Sequence, residues 1–344
     1  MTYRASESRY EAMTYRRSGR SGLKLPALSL GLWQNFGGNR DYPSAFEILA
    51  CAFDHGVTHF DLANNYGPPP GAAEELFGDV MARDFRPYRD EIIVSSKAGY
   101  SMWPGPYGEF GSRKNLIASC EQSLRRLGLD YVDIFYSHRY DPNTPLEETM
   151  GALAHLQRQG KALYVGVSNY PREATRQAHQ ILAAMGVTLT IHQPSYSILN
   201  RWIEEDGTID ACGELGVGII PFSPLGQGVL TGKYSGGKDD ATRAGRLGST
   251  IGNRWLAPKV LAAVDALADI AKARRQTMTQ LALAWVLRRR EITSALIGIR
   301  TVEQFRDCLG ALDNLAFTPD ELQAIDAATG GARLDSPPPL SLPD

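Results

Sequence analysis

The stretch Thr58–Gly67, THFDLANNYG, sets Asp61 and Tyr66 five residues apart, where an apolar run gives way to a polar loop. Two later runs end in the same way: IIVSSKAG (92–99) delivers Lys97 and YVDIFYSHR (131–139) delivers His138. β-Branched and aromatic residues dominate all three runs, so each reads as a strand buried on both faces. A carboxylate, a phenol, an ammonium and an imidazole gathered at the carboxyl ends of such strands are hard to explain as packing, because buried charges must be paired. They read as a site.

Along the chain, apolar β-rich runs recur at 28–33, 57–62, 91–96, 131–137, 162–167, 188–193, 217–222 and 294–298, eight in all. Stretches of helical period lie between them, such as Arg113–Leu127 with Leu116, Ile117, Cys120, Leu124 and Leu127 on one face. Strand and helix in alternation imply parallel pairing, and eight such units close into an α/β (β/α)8 TIM barrel. A doubly wound open sheet is the alternative, but it usually shows fewer strands and a Gly-rich first turn. Residues 8–26 are expected to form a hairpin over the barrel floor. The long loop between strands seven and eight, about seventy residues, holds a Gly-rich segment (225–254) and helices near 258–274 and 279–289. Loops of that length inside a compact domain are usually functional. Residues 1–332 read as one domain, with a flexible Pro-rich tail at 333–344.

At 344 residues, 43% apolar and 22% charged, the chain can bury a large core, and a formal net charge of -2 argues against a nucleic-acid surface. No run approaches about eighteen apolar residues, so no membrane span is expected, and the charged, aromatic first 25 residues lack a secretory h-region. A cytoplasmic location is the default. Cys51, Cys120, Cys212 and Cys308 are scattered without a C-x-x-C pair, which predicts reduced thiols and no metal site.

In a barrel, chemistry gathers at the carboxyl ends of the strands. Those ends carry Trp33, Asp61, Lys97, His138, Ser168 with Asn169, Gln193, Phe222 with Ser223, and Arg300. With FDLANNYG, SSKAG, FYSHR, GVSNY, HQPSYS, FSPLGQGVLTGKY and LIGIRTVEQ in order, the chain resembles the aldo-keto reductases over nearly its whole length. GLWQNFG, DLANNYGPPPG, MWPGPYG with GSRK, and HQPSYSILNRW resemble the bacterial L-glyceraldehyde 3-phosphate or methylglyoxal reductase branch. That branch is related to the β subunits of voltage-gated potassium channels.

The resemblance implies an NADPH-dependent carbonyl reductase acting on small aldehydes or ketones. Reduction needs a proton donor at the developing alkoxide, and a phenol of ordinary pKa, about 10, is a reluctant one. An ammonium lowers that value and a carboxylate keeps the ammonium charged, hence Tyr66 as acid, Lys97 as modulator and Asp61 as its partner. A neutral His138 would orient the substrate oxygen.

The same carry-over gives Ser168, Asn169 and Gln193 to the nicotinamide carboxamide and Phe222 to the ring face, with Trp33 and Gly298 also lining the cofactor. Ser223, Leu225, Gln227, Gly228, Lys233 and Arg243 match the segment that wraps the pyrophosphate. The G-Q-G-V-L-T-G pattern there fails as a dinucleotide fingerprint, since its spacing is wrong and it leads into a loop. Thr301 is expected to cap a helix whose amides hold a phosphate, and Arg300 beside it favours NADPH over NADH. Gln304, Asp307 and Cys308 match adenosine-phosphate contacts, although relatives often carry Glu-Asn in place of the last two. For the substrate, Trp103 and Tyr107 would be apolar walls, Trp33 and Trp202 would complete the pocket, and Arg113 or Arg139, near Ser112 and Lys114, would meet an anion. A homo-oligomer is compatible with the family. The competing reading is a redox-sensing nicotinamide-binding subunit of the channel β type, which typically carries asparagine at the position of His138.

Overall fold

The computed structural model describes residues 3–234 and 253–335. A two-stranded antiparallel hairpin, β1 (Tyr15–Arg17) and β2 (Lys24–Pro26), precedes a parallel sheet of eight strands. These are β3 (Leu28–Gly31), β4 (His59–Asp61), β5 (Ile93–Ala98), β6 (Val132–Ser137), β7 (Ala162–Ser168), β8 (Leu189–Gln193), β9 (Gly218–Ile219) and β10 (Ala295–Ile297). From β4 to β9 each pairs with its predecessor, and β10 returns to pair with β3. The ring closes through two bonds: the Thr293 amide donates to the Ile219 carbonyl at 2.7 Å and the Leu296 amide to the Pro221 carbonyl at 3.0 Å. The fold is the (β/α)8 barrel.

Helices cover the outside. The one read from periodicity runs Arg113–Leu127, begins where Ser112 accepts the Asn115 amide, and ends at Gly128 in the left-handed region. The strand expected at 217–222 is ordered as sheet only at Gly218–Ile219, with an isolated bridge from Phe222 to Ser195. Pro221 has no amide to give the ladder, and the chain turns at Ser223. In the long excursion before β10, the described helices Pro258–Ala273 and Met278–Leu287 fall where the periodicity puts them.

The hairpin plugs the amino-terminal end of the barrel: Leu23 and Leu25 join Ile134, Tyr136, Ile191, Ile220 and Leu296 in a buried interior cluster. Tyr136 fits because Gly166 faces it, where a Cβ would come within 2.6 Å of the ring. The first residues of the expected flexible tail are held instead. Arg333 pairs with Glu205, the Leu334 amide donates to the Leu199 carbonyl at 2.7 Å, and Asp335 accepts the Arg201 amide. Residues 336–344 lie outside the described residues. Among the described residues, no helix is long and apolar enough to cross a membrane.

Candidate active site

Alternation along the strands points Asp61 and Lys97 inward from neighbouring β4 and β5. Lys97 Nζ lies 2.6 Å from Asp61 Oδ2, and both side chains are fully buried. The ammonium also donates to the Leu62 carbonyl at 2.6 Å and to the Tyr66 hydroxyl oxygen at 3.2 Å. Its three N–H bonds are thereby committed. Tyr66, accepting from Lys97, keeps its own hydrogen for the cavity that it lines. The other oxygen of Asp61 accepts from Ser95 Oγ at 2.7 Å and from Gln193 Nε2 at 3.0 Å.

Burial pushes the Tyr66 phenol well above its ordinary value, and the Asp61 charge adds to this. The lowering expected from Lys97 is overridden, because taking a phenolate out of water costs more than an ammonium already paired with Asp61 returns. Lys97 is itself pushed down by burial and held up by Asp61. Burial, then the charges of Lys97 and Arg139, holds His138 well below the usual imidazole range, so the ring is neutral. Its Nδ1 is buried without a partner, and Tyr100 packs edge-on against it with centroids 4.6 Å apart.

A cavity of about 690 Å³ lies over these groups. Its lining includes Asp61, Tyr66, His138, Trp33, Ser168, Asn169, Gln193, Phe222, Ser223, Leu225, Gln227, Gly228, Lys233, Gly298, Arg300, Gln304, Asp307 and Cys308. Every described residue that the motifs assign to a cofactor therefore meets in one space; Arg243 lies outside the described residues. Backbone strain gathers there too. Asn169, Ser223 and Gln227 adopt φ of 56°, 55° and 56°, a left-handed conformation that non-glycine residues rarely take. Ser168 Oγ and Gln227 Oε1 are buried with no partner. At Gly228 (φ 93°) a Cβ would stand 2.8 Å from Lys233 Nζ, so the loop brings bare backbone up to an ammonium.

Thr301 caps the helix Val302–Leu309 by accepting the Gln304 amide, as expected, and Gln304 Oε1 accepts the Arg300 amide at 2.9 Å. Asp307 is tied to Thr277 Oγ1 at 2.8 Å and Gln280 Nε2 at 3.2 Å. Burial pushes the Cys308 thiol up to about 12, which makes it an inert wall.

Five substrate candidates do not line the cavity. Trp202 is buried elsewhere, its indole donating to the Ser195 carbonyl at 2.8 Å. Arg139 pairs with Glu109 at 2.9 Å and stacks on Phe110 at 3.8 Å. Arg113 heads its helix with the guanidinium beside Gly151, and Trp103 sits in the loop outside with the half-exposed Tyr107. Arg139 meets an acidic and an aromatic neighbour in the overhanging loop, Glu109 and Phe110, and they hold it there. Conversely, Asn35, Asn65, Tyr100, Thr231 and Thr279 line the cavity without having been singled out as site residues. Asn65 stands next to Tyr66 in the stretch that opened the reading; the others follow from loop paths that no periodicity encodes.

A (β/α)8 barrel with a buried lysine–aspartate pair under a tyrosine at its carboxyl-terminal face defines an oxidoreductase scaffold. The chain belongs to the Aldo/keto reductase family, whose profile matches residues 27–329. It is 53% identical over 331 residues to an L-glyceraldehyde 3-phosphate reductase of Escherichia coli (strain K12), covering 95% of each chain, and equally to that of Escherichia coli O157:H7. It is 36% identical over 324 residues to a probable voltage-gated potassium channel subunit beta of Arabidopsis thaliana, covering 91% of this chain and 96% of the other.

Proposed function

We propose that the protein is an NADPH-dependent reductase of small, oxygen-rich aldehydes and ketones, with L-glyceraldehyde 3-phosphate and methylglyoxal as its best simple substrates. One observation carries the reading: the Asp61–Lys97–Tyr66 chain and neutral His138 open into the cavity that also gathers the described cofactor candidates. The name of the Escherichia coli relatives supplies the phosphorylated triose.

The cavity fits a nicotinamide dinucleotide. The unpartnered Ser168 hydroxyl, with Asn169 and Gln193, would hold the carboxamide, and Phe222 would cover the ring. The Gln227–Gly228 backbone and Lys233 form a cradle for a pyrophosphate. Arg300 beside the capped helix suits a 2'-phosphate, with Gln304, Asp307 and Cys308 at the adenosine end. When bound, the dihydronicotinamide supplies the hydride.

The protein's own groups do the rest. His138, neutral, orients the carbonyl oxygen. Tyr66 gives that oxygen its proton as negative charge develops there, and Lys97 stabilises the phenolate left behind. Asp61 keeps Lys97 charged and in place, offsetting its burial. Arg113 and Arg139 have no part in this account, being held away from the cavity.

Incubation with NADPH and L-glyceraldehyde 3-phosphate or methylglyoxal, followed at the nicotinamide absorbance, tests the reading. Turnover of both is expected. The 36% identity to a channel subunit motivates the competing reading, a nicotinamide-binding regulator; tight NADPH binding with no turnover of any small carbonyl would establish it.

A further inference from the structure

Beneath Asp61, four fully buried side chains form a hydrogen-bonded line across the barrel interior: Ser294, Ser29, His59 and Ser95. Ser294 Oγ and Ser29 Oγ are 2.6 Å apart, Ser29 Oγ is 2.9 Å from His59 Nδ1, and His59 Nε2 is 2.9 Å from Ser95 Oγ. Ser95 Oγ meets Asp61 Oδ1 at 2.7 Å.

Counting hydrogens fixes the direction of every bond. Asp61, paired with Lys97, can only accept, so Ser95 uses its single hydrogen on Asp61. Ser95 must then accept from His59, which places the imidazole hydrogen on Nε2. Nδ1 is left as an acceptor, so Ser29 donates to it and Ser294 donates to Ser29. All four dipoles point the same way, towards one carboxylate oxygen, and in a dry interior such a chain polarises cooperatively. Burial independently holds His59 down at about 4, which keeps the ring neutral, as this arrangement needs.

We infer that His59, acting through Ser95, is a positioning residue of the reaction: it holds the Asp61 carboxylate in the rotamer that aims Lys97 at Tyr66. The motifs single out Asp61 and Lys97, but the group behind them has no role in any of the assignments above. The inference rests on the reductase reading of the same cavity.

Two substitutions and one spectrum test it. His59→Gln keeps an amide N–H at the place of Nε2, whereas His59→Phe fills the volume without a donor; Ser95→Ala cuts the line with the smallest change in packing. His59→Phe and Ser95→Ala are expected to lower kcat by about tenfold or more, the scale for removing the group behind an active side chain. The NADPH dissociation constant, measured by fluorescence, should stay unchanged, and His59→Gln should recover most of kcat. A wild-type kcat in folded Ser95→Ala overturns the inference, as does a His59→Gln enzyme no better than His59→Phe. Should the variants fail to fold, nitrogen-15 spectra of histidine-labelled wild-type protein still decide: His59 is expected as the neutral Nε2–H tautomer, and an Nδ1–H or charged ring refutes it. A wild-type protein inert towards all small carbonyls would instead overturn the reductase reading, and this role with it.

Discussion

As the proposed acid, Tyr66 meets two opposed demands, since a proton donor must hold its hydrogen until the substrate arrives and release it once the oxygen becomes basic. Burial secures the first, pushing the phenol well above its ordinary value, and the Lys97 contact at 3.2 Å provides for the second. Tyr66→Phe should therefore fold and bind NADPH normally while turnover falls at least about a hundredfold, as expected when a general acid is lost. Steady-state kinetics check it, and near wild-type turnover would remove Tyr66 from the mechanism. Lys97→Met should be severely impaired as well. The same burial makes a stability prediction. His59 is held at about 4 and His192 at about 3, with His138 also well below 6.5, so the native state refuses protons that the unfolded chain takes up. For a cationic group with a lowered native pKa, stability is complete above about pH 6.5 and is lost as pH falls, by roughly 1.4 kcal/mol per pH unit for each histidine until its native pKa is reached. Urea midpoints that stay flat from pH 7 to pH 5 would contradict this. The convergence of Asp61, Tyr66, Lys97 and His138 was legible in sequence because three of them end apolar runs and Tyr66 follows one in its loop. The His59 line was not, since alternation tells which face a residue takes and not whom it meets across the barrel.

At the scale of elements, the helix Val302–Leu309 and the turn Gln227–Gly228 meet the proposed cofactor in different ways. On that proposal Arg300 would read a charge. Arg300→Ala should weaken NADPH binding by about 1.5 to 3 kcal/mol, the scale of a charge-assisted hydrogen bond, and leave NADH almost untouched. Fluorescence titration with both cofactors measures it, and equal losses would show that Arg300 does not distinguish them. Gly228 reads no charge but supplies close backbone at φ 93°. Gly228→Ala should accordingly weaken both cofactors together, by strain and by the Cβ driven onto Lys233; an unchanged NADH affinity would argue against the cradle. Helices such as Arg113–Leu127 declared themselves through caps and periodicity. The seventh barrel strand declared its place but not its length, because apolar residues at 217–222 look like sheet whether or not Pro221 can complete the ladder. Loop residues were harder to place: Arg113 and Arg139 were plausible anion ligands by type and position, yet Arg139 pairs with Glu109 and stacks on Phe110, and Arg113, whose backbone amide donates to Glu148, lies off the cavity lining.

For the molecule as a whole, the eightfold alternation and the closed barrel it implies were legible in sequence, whereas the bonds that make the closure were not. The hairpin strand β2 sends Leu25 into the barrel interior, so Leu25→Ala should destabilise the fold by about 2 to 5 kcal/mol, measured by urea unfolding, while leaving kcat near wild type. Closure itself is uneven. β5, β6 and β7 share long registers, whereas the ring is completed between the two residues of β9 and the three of β10 by the Thr293 and Leu296 amide bonds. Such a seam is where a barrel breathes. Amide hydrogens of Thr293 and Leu296 should exchange with solvent deuterium well before those of β6, because opening the seam disturbs few bonds and opening the centre disturbs nearly all. Gly298 and Arg300 follow directly on β10 and line the cavity, so saturating NADPH should slow that exchange by holding the free edge down. On the proposed function, the thinnest stitch of the ring would then double as a sensor of cofactor, while Lys97 and His138, carried by β5 and at the end of β6 across the ring from it, would keep their geometry as the cofactor comes and goes.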